Sequence, residues 1–405
     1  MLKNFNITDV NILVSKERDF DKFLQNTSLE PFSDKVIDFL NDLSKAIAKD
    51  KRIREFPDVA TFGFYCRKAN IINLEKKYSF DEINLGRGVV FHVAPSNVPV
   101  NFAYSMVSSM LAGNINIVRV PSKSFEQVEI IINAINNLSE TGKHNDILER
   151  ILLVRYDRQS SATKLFSSVC DVRIIWGGDD TIAEIRKNQI PARSFDITFA
   201  DRYSLCVINA DEYINEESPQ KIAHAFYNDT YLFDQNACTS PHLVIWLGEG
   251  NNVEKSKEIF WDNLYEFIKA KYIVQPVVAV DKLVSFYSQA IEMPNSLEKT
   301  VSLDNLIWRI ELEELTENID EYRCTSGYFS EYHASSLSEI SKIINRKYQT
   351  LAYYGISKDK LEKFILDEKP NGIDRIVPIG RTSDFSLIWD GYDLISVLSR
   401  RCEVR

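Results

Sequence analysis

Short runs of β-branched and other apolar residues alternate with helical patterns along the chain after residue 88. Each run is followed by a loop and then by apolar residues at helical spacing, which is typical of a parallel sheet covered by helices. The pattern therefore predicts an α/β fold. The runs expected to form strands are residues 89–93, 115–120, 151–154, 172–176, 204–208 and 243–246.

Capping patterns mark the start of two predicted helices. Ser124, followed three residues later by Gln127, forms a capping-box pattern ahead of an apolar helix. Ser218 followed by Pro219 is the pattern of an N-cap before a first-turn proline. The first 85 residues are predicted to be mostly helical, and one apolar helix face is formed by Val36, Phe39, Leu40, Leu43 and Ile47.

Length and charge narrow the class of protein. A chain of 405 residues exceeds the usual size of a single hydrophobic core, so two or three domains are expected. The formal net charge of −10 argues against nucleic acid as a partner, because phosphate binding needs a basic face. The N-terminus lacks a signal-peptide pattern, and no run approaches the ~18 apolar residues of a spanning helix. We therefore expect a cytoplasmic protein without a membrane span.

One of the six scattered cysteines stands out by its surroundings. No CxxC pair occurs and no histidine lies at zinc-ligand spacing, so no metal site is predicted. Cys238 is surrounded by polar residues in a loop between a helix and a strand, whereas Cys206 lies inside an apolar strand. Because a cysteine is more often a small buried apolar residue than a nucleophile, the loop position alone supports a catalytic role only weakly.

Several segments, in the same order along the chain, resemble one family. Residues 233–241, Phe-Asp-Gln-Asn-Ala-Cys-Thr-Ser-Pro, are similar to the nucleophile loop of the LuxC-type acyl-CoA reductases, the fatty-acid reductases of the aldehyde dehydrogenase superfamily. Asn97 resembles the superfamily's asparagine in an Asn-x-Pro loop. Residues 112–114, Ala-Gly-Asn, with Arg119 resemble the turn that leads to the cofactor's adenosine end. Further similar segments near the C-terminus are residues 372–376 and 389–391.

This resemblance implies an aldehyde dehydrogenase-like fold, with a Rossmann-type cofactor domain, an α/β catalytic domain and a small C-terminal oligomerisation segment. We expect residues 1–203 to form N-terminal helices and the nicotinamide-cofactor-binding domain. Residues 204–365 are expected to form the catalytic domain that carries the nucleophile. Residues 366–405 are expected to pack back or to oligomerise.

The resemblance also implies the chemistry of Cys238. A thiolate attacks a thioester such as acyl-CoA, and the attack creates an oxyanion that hydrogen-bond donors stabilise. The expected donors are the Asn97 side chain and the Cys238 backbone N–H. Without the resemblance, Asn97 would be interpreted as a turn residue that caps its own loop. Phe199 falls where aldehyde-oxidising relatives carry a water-activating glutamate, which favours reduction of the acyl-enzyme over its hydrolysis.

Cofactor binding is predicted after the second and fourth predicted strands. Arg119, Ser122 and Lys123 lie where NAD-specific relatives carry a ribose-binding glutamate, and two basic residues there suit the 2′-phosphate of NADPH. Gly177 and Gly178 are expected to let the backbone approach the pyrophosphate. Two alternatives stay open. Arg119 and Lys123 could equally be solvated charges at the end of a strand, and the Gly-Gly pair could mark an ordinary tight turn.

We therefore expect NADPH-dependent reduction of an acyl group, from a fatty acyl-CoA or an acyl-protein, to an aldehyde through a thioester on Cys238. One alternative is a CoA-acylating aldehyde dehydrogenase that works oxidatively with NAD. Another is a non-reducing acyl-carrier or acyltransferase subunit. The resemblance also implies an acyl-protein synthetase as partner and a homo-oligomer.

Overall fold

The computed structural model describes residues 9–79, 82–95, 98–294 and 297–405. The chain divides into two compact units, Met1–Ala200 with Phe385–Arg405 as the first and Asp201–Asp384 as the second. The first division lies three residues before the boundary that the sequence predicts at 203/204. Residues 366–384, predicted to belong to the C-terminal segment, lie in the second unit, and the rest of that segment lies in the first.

Strands and helices alternate through most of the first unit. Its strands before residue 200 are β1 (Asn11–Ser15), β2 (Ile83–Gly86), β3 (Val89–Val93), β4 (Ile115–Arg119), β5 (Ile151–Arg155), β6 (Val172–Trp176) and β7 (Phe195–Phe199). The helices are α1 (Phe20–Leu24), α2 (Asp34–Lys49), α3 (Pro57–Tyr65), α4 (Lys68–Glu75), α5 (Asn101–Leu111), α6 (Glu126–Thr141), α7 (Asn145–Leu148), α8 (Ala162–Val169) and α9 (Asp179–Arg186).

The main sheet of the first unit has the strand order β1-β5-β4-β3-β6-β7. Strands β3 to β7 pair in parallel, and β1 pairs antiparallel with β5. The chain runs from β3 outward to β4 and β5 and then returns to β6 on the other side of β3. The carboxyl ends of β3 and β6 therefore flank a topological switch point, which is where open α/β sheets bind their ligands.

The core of the first unit lies on both faces of this sheet. Val90 packs in one layer with Leu40 of α2 and Met106 of α5. Phe91, which points to the opposite face, packs against Phe166 of α8 with ring centroids 5.4 Å apart. The predicted apolar face of α2 is confirmed, because the following residues are all buried: Val36, Phe39, Leu40, Leu43 and Ile47.

The second unit is also built from strands and covering helices. Its strands are β8 (Tyr203–Asn209), β9 (Pro241–Leu247), β10 (Leu297–Leu303), β11 (Ile307–Leu312), β12 (Tyr328–Ala334), β13 (Tyr348–Tyr354) and β14 (Arg375–Pro378). Its helices are α10 (Ala210–Tyr213), α11 (Pro219–Thr230), α12 (Gly250–Ile268), α13 (Pro276–Glu292), α14 (Leu337–Ile340) and α15 (Lys358–Glu368). The chain then ends in the first unit with β15 (Ile388–Trp389), β16 (Tyr392–Asp393), α16 (Leu394–Leu398) and β17 (Ser399–Cys402).

The sheet of the second unit has the order β10-β11-β12-β9-β8-β13-β14. β10 and β11 are antiparallel, and every other neighbouring pair is parallel. Because the strands are parallel, the residues that begin them meet at one edge. At that edge Ser204 of β8 pairs with Pro241 of β9, and Thr350 of β13 pairs with Arg375 of β14.

The predicted strands are confirmed, each within two residues at either end. Of the two predicted caps, the first is wrong and the second is confirmed in position. Helix α6 begins at Glu126 with Phe125 at the N-cap position, so Ser124 lies outside the helix and forms no capping box. Ser218 does occupy the N-cap position of α11, but its side chain makes no capping hydrogen bond.

Strands β1 and β2 were not predicted from the sequence. β1 pairs with β5, and β2 pairs antiparallel with β17 from the far end of the chain. Both are short segments, so their strand geometry depends on a partner distant in sequence rather than on a local pattern. Within the described residues, none of the helices has the length and apolar composition that a bilayer crossing requires.

Candidate active site

The cysteines differ in exposure, and Cys238 is partly exposed. Burial raises the pKa of Cys170 to about 12 and holds the pKa of Cys206 well above its ordinary value, because an apolar surrounding disfavours the thiolate. Cys402 is also partly exposed, but it lies in β17 of the first unit. Cys238 is therefore the partly exposed cysteine of the second unit, where Cys206 and Cys324 are buried. Cys66 and Cys170 are buried in the first unit.

Cys238 lies in a tight turn directly before β9. The turn is closed by the Ser240 N–H, which donates to the Ala237 carbonyl at 2.9 Å. The Cys238 carbonyl accepts a hydrogen bond from the Ser204 hydroxyl at 2.7 Å. That hydroxyl in turn accepts from the Thr350 N–H at 3.2 Å. The backbone of the turn is thus tied to the first residues of β8 and β13.

The buried side chain of Gln235 fixes the preceding part of the loop. Its amide nitrogen donates to the carbonyls of Pro241 (2.9 Å) and Tyr328 (3.0 Å). Its amide oxygen accepts from the N–H groups of Gly327 (2.8 Å) and Tyr328 (3.1 Å). Gly327 has a φ of +90°, and a Cβ there would lie 2.2 Å from the Leu306 carbonyl oxygen. The positive φ of Gly327 and its close approach to the Leu306 carbonyl therefore exclude any larger residue at this position.

Two consecutive residues of the loop adopt the left-handed backbone conformation. Asp234 has a φ of 51° and Gln235 a φ of 58°. The Asp234 carbonyl accepts from the Ser326 N–H at 3.0 Å. The Tyr272 hydroxyl lies 2.5 Å from Asp234 Oδ1 and 2.9 Å from Ser326 Oγ. These contacts stabilise a backbone geometry that non-glycine residues seldom adopt, and they place the turn that follows.

His242 is close to the turn in sequence and is buried. Its ring stacks on Tyr203 with centroids 5.7 Å apart. Burial lowers the pKa of His242 to about 3, and the charge of Arg323 acts in the same direction. The imidazole is therefore neutral at physiological pH, which supports a structural role for His242.

Arg119 ends β4 at the carboxyl edge of the first unit's sheet. Its guanidinium lies over the Tyr156 ring at 4.7 Å, and Nη2 donates to the Tyr156 carbonyl at 3.2 Å. Its buried Nε has no hydrogen-bond partner among the described residues. Burial lowers the pKa of Arg119, but an arginine stays charged at neutral pH. An oriented cation with an unused donor suits an anionic ligand.

The other predicted cofactor residues lie at the same edge of this sheet. Ser122 and Lys123 are exposed after β4, and Lys123 Nζ lies 5.2 Å from the Phe125 ring centroid. Gly177 and Gly178 join β6 to α9, and a Cβ at Gly178 would meet nothing within 4 Å. The residues after β4 therefore provide basic side chains, and those after β6 provide a glycine junction that is followed by the acidic Asp179 and Asp180. The binding of a dinucleotide at this edge stays a prediction.

Asn97 lies outside the described residues, so its role as an oxyanion donor stays a prediction. Phe199 ends β7 and is buried, with its ring stacked on Trp176 at a centroid distance of 3.7 Å. The Trp176 N–H donates to the Ser105 hydroxyl at 3.1 Å, and the Trp176 side chain is buried in the core of the first unit. A phenyl ring has no group that could activate water.

Sequence reasoning missed the side chains that hold the Cys238 turn. Gln235 was visible as part of the nucleophile-loop segment, and Ser204 as the first residue of a predicted strand. Their contacts run to Tyr328 and Thr350, which are far away in sequence. No local pattern could have indicated them, because they depend on the order of strands in the sheet.

The two units together have the fold of the aldehyde dehydrogenases. The structure of aldehyde dehydrogenase 21 from Physcomitrella patens, in complex with the reaction product succinate, superposes with a TM-score of 0.65. The match covers 99% of this chain and 97% of that one at 11% sequence identity. An identity this low supports the fold and nothing more specific.

Within that fold, the chain belongs to the acyl-CoA reductase (LuxC) family, whose model matches residues 73–401. A long-chain acyl-protein thioester reductase from Aliivibrio fischeri is 22% identical over 323 residues, which are 77% of this chain and 62% of that protein. The protein of the same name from Vibrio harveyi is 23% identical over 303 residues, 74% of this chain and 60% of its own length. The chain thus spans about three fifths of these relatives.

Proposed function

We propose that this protein reduces an activated acyl group to an aldehyde through a thioester on Cys238. The observation that carries the proposal is the partly exposed thiol in a turn that is fixed on several sides, within a unit whose other cysteines are buried. Membership of the acyl-CoA reductase (LuxC) family supports the reaction type. The relatives are named long-chain acyl-protein thioester reductases, which supports a long acyl chain.

In the first half-reaction the Cys238 thiolate attacks the carbonyl carbon of an acyl thioester. The new bond joins Cys238 Sγ to the acyl carbon, the bond to the leaving thiol breaks, and the leaving thiolate takes up a proton. Because Ser204 and Gln235 hold the turn in one conformation, little conformational freedom remains to be lost when the substrate arrives.

Two donors are proposed for the oxyanion that forms in this step. One is the backbone N–H of Cys238, which the turn positions beside its own sulfur. The other is the Asn97 side chain, which the resemblance implies. Removal of one oxyanion donor typically raises the barrier by ~2.7–4 kcal/mol.

When bound, a reduced nicotinamide cofactor, NADPH in this proposal, would supply the hydride that, together with one proton, converts the thioester to aldehyde and the free Cys238 thiol. Arg119, Ser122 and Lys123 would hold its 2′-phosphate end, and Gly177 and Gly178 its pyrophosphate. The basic residues after β4 and the open glycine junction after β6 support this assignment. Phe199 does not activate water, so the thioester persists until it is reduced.

The acyl donor in this proposal is a fatty acyl-CoA or an acyl-protein supplied by an acyl-protein synthetase. The name acyl-protein thioester reductase supports the second donor for the relatives, and the acyl-CoA reductase description of the family supports the first. Both donors present the same thioester to Cys238, so the same chemistry serves either.

Intact mass spectrometry after incubation with acyl-CoAs of several chain lengths tests the proposal. Without NADPH, the mass should rise by one acyl group. With NADPH, the adduct should disappear while NADPH is consumed and aldehyde forms. A Cys238→Ala variant should lose both acylation and reduction, and full activity of that variant would contradict the mechanism.

The two alternatives give different results in the same experiment. A stable acyl adduct that NADPH does not remove, with no nicotinamide binding by calorimetry, indicates an acyl-carrier or acyltransferase subunit. Faster aldehyde oxidation with NAD and CoA than acyl-CoA reduction with NADPH indicates the oxidative enzyme. Phe199 stands where aldehyde-oxidising relatives carry a water-activating glutamate, which argues against hydrolysis of the acyl-enzyme to a free acid.

A further inference from the structure

Arg375 begins β14 at the same sheet edge as the Cys238 turn. The Ser204 hydroxyl bridges the Cys238 carbonyl and the Thr350 N–H, and Thr350 is the register partner of Arg375 on the next strand. Neighbouring strands are ~4.8 Å apart, so the backbone of Arg375 lies about two strand spacings from Ser204. An arginine side chain can cover much of that distance.

The guanidinium of Arg375 is held in place by backbone carbonyls. Nη1 donates to the Thr382 carbonyl at 2.8 Å, and Nη2 donates to the carbonyls of Arg381 (3.0 Å) and Asp384 (2.5 Å). Buried Asp229 of α11 fixes the same segment, since its carboxylate accepts from the N–H groups of Gly380 (2.5 Å) and Thr382 (3.0 Å). The guanidinium is therefore oriented before any substrate binds.

The Arg375 guanidinium lies in the field of two carboxylates and, most weakly of the three groups, of Cys238. Burial lowers the pKa of Arg375, and Asp384, Asp229 and Cys238 act against this. Asp384 belongs to the segment after β14, Asp229 to α11, and Cys238 to the turn before β9. Arginine remains charged throughout the physiological range, so Cys238 lies in the field of a fixed cation.

We propose that Arg375 is a positioning residue that stabilises the thiolate of Cys238 and so prepares it for attack on the acyl thioester. This inference rests on the proposed function of Cys238 as a nucleophile. A nearby cation favours the thiolate over the thiol, because the ionised sulfur gains attraction that the neutral sulfur does not. The sheet edge thus supplies both the turn that places the sulfur and the charge that activates it.

The pH dependence of Cys238 alkylation separates this role from a merely structural one. Loss of a cation should raise the apparent pKa of the thiol by about one unit. A less acidic thiol has a more nucleophilic thiolate, so the rate should fall about threefold well below the pKa and rise about threefold on the alkaline plateau. A loosened turn would change the rate at all pH values in the same direction.

The experiment uses the full chain with Cys402→Ser, so that Cys238 is the partly exposed cysteine. Iodoacetamide modification is followed by intact mass, with peptide mapping to locate the label, from pH 6 to 10. Arg375→Gln should give the crossing profiles described above. Arg375→Lys keeps the charge, so its apparent pKa should stay closer to that of the unchanged protein.

Arg381→Gln is the matched control. It removes a largely exposed charge from the same segment and leaves its backbone carbonyl in place, so its profile should match the parent's. Superimposable profiles for Arg375→Gln and the parent, or a parallel loss at every pH, would overturn the inference. If Arg375→Gln does not fold, the alkylation profile of the parent protein still tests the inference. An apparent pKa for Cys238 at or above the ordinary thiol value of about 8.5 would overturn the inference.

Failure of the proposed function gives a different result. If Cys238 has a lowered apparent pKa that depends on Arg375 but takes no acyl group from acyl-CoA, the inference stands and the proposed function fails. If Cys238 is acylated while its alkylation profile does not respond to Arg375, the proposed function stands and the inference fails.

Discussion

Gln235 satisfies backbone groups from two neighbouring segments at once. Its side chain accepts from the N–H groups of Gly327 and Tyr328 and donates to the carbonyls of Pro241 and Tyr328. A buried residue with this many partners affects stability more than its size suggests, because each group that loses its partner keeps the cost of desolvation.

Replacement of Gln235 by leucine should therefore destabilise the protein by about 3 kcal/mol, since buried donors and acceptors are left without partners. Urea unfolding measures the free energy, and the Cys238 acylation rate should fall with it because the turn loosens. Asn236→Ala, at the exposed neighbouring position, is the control and should change stability by less than about 0.5 kcal/mol. Equal stabilities of Gln235→Leu and the parent would contradict the role assigned to this side chain.

Asp229 gives the stability of the second unit a specific pH dependence. Burial raises the pKa of Asp229 to about 6, above the 3.8 of the unfolded chain, although hydrogen bonds from Gly380 and Thr382 oppose this. The folded state thus holds the proton more tightly, so this contribution to stability is full below pH 4 and is lost as the pH rises through 6. Between pH 4.5 and 7 the loss is about 2 kcal/mol.

Asp229→Asn has no such proton to lose. Between pH 4.5 and 7, the titration of Asp229 should lower the unfolding free energy of the parent by about 2 kcal/mol. The variant should lack this loss. Urea unfolding at both pH values measures it, and the other titrating groups cancel in the comparison. Parallel pH dependences in parent and variant would show that Asp229 does not titrate in this range.

At the scale of elements, six central strands were predictable because buried parallel strands carry continuous apolar runs: β3, β4, β5, β6, β8 and β9. The outer strands of both sheets, such as β1, β7, β10 and β14, were not predicted. The predicted run at 172–176 and β6 (Val172–Trp176) coincide. The starts of helices were less predictable, since Phe125 rather than Ser124 precedes α6. Helix capping depends on how the preceding loop leaves the sheet, which local sequence does not specify.

The candidate site was predictable only in part. Cys238 and the residues after β4 and β6 lie in loops that follow or precede recognisable strands, so pattern and resemblance indicate them. Ser204 meets the turn, and Arg375 begins its strand at the same edge of the sheet, through the register of β8, β9, β13 and β14. Register is a property of the assembled sheet and leaves no signal in a single segment.

Helix α13 carries a stripe of apolar side chains at alternating spacings of three and four residues, the pattern with which helices pair. Each of its members is more than half exposed: Val277, Val280, Val284, Tyr287 and Ile291. Residues 366–405 were expected to pack back or to oligomerise, and β17 in this segment pairs with β2 of its own unit. If the expected homo-oligomer uses this stripe, charges placed on it should weaken the oligomer.

Val280→Lys combined with Val284→Lys should lower the molecular mass in solution, because two buried charges cannot be accommodated at a symmetric helix contact. Size-exclusion chromatography with light scattering measures the mass. Leu366→Lys, the same change at an exposed leucine of α15, is the control and should leave the mass unchanged. A monomeric parent protein would reject the predicted oligomer altogether.

At the scale of the whole molecule, the division into two units corresponds to a division of the proposed chemistry. The second unit holds Cys238 and the groups that fix its turn, and the first holds Lys123 and the glycine junction after β6. Acyl transfer to Cys238 needs no cofactor, whereas release of aldehyde needs the hydride. The two half-reactions should therefore respond to different substitutions.

Lys123→Glu should weaken NADPH binding at least tenfold, because a carboxylate replaces the exposed cation proposed to meet the 2′-phosphate. Its acylation by acyl-CoA should proceed at the parent rate, while aldehyde release slows and NADH is penalised less than NADPH. Cys238→Ala should show the converse, with normal NADPH binding by calorimetry and no acyl adduct. Equal slowing of acylation and of reduction by Lys123→Glu would contradict the assignment of the cofactor to the first unit. A change at a cofactor site should slow only the step that uses the cofactor.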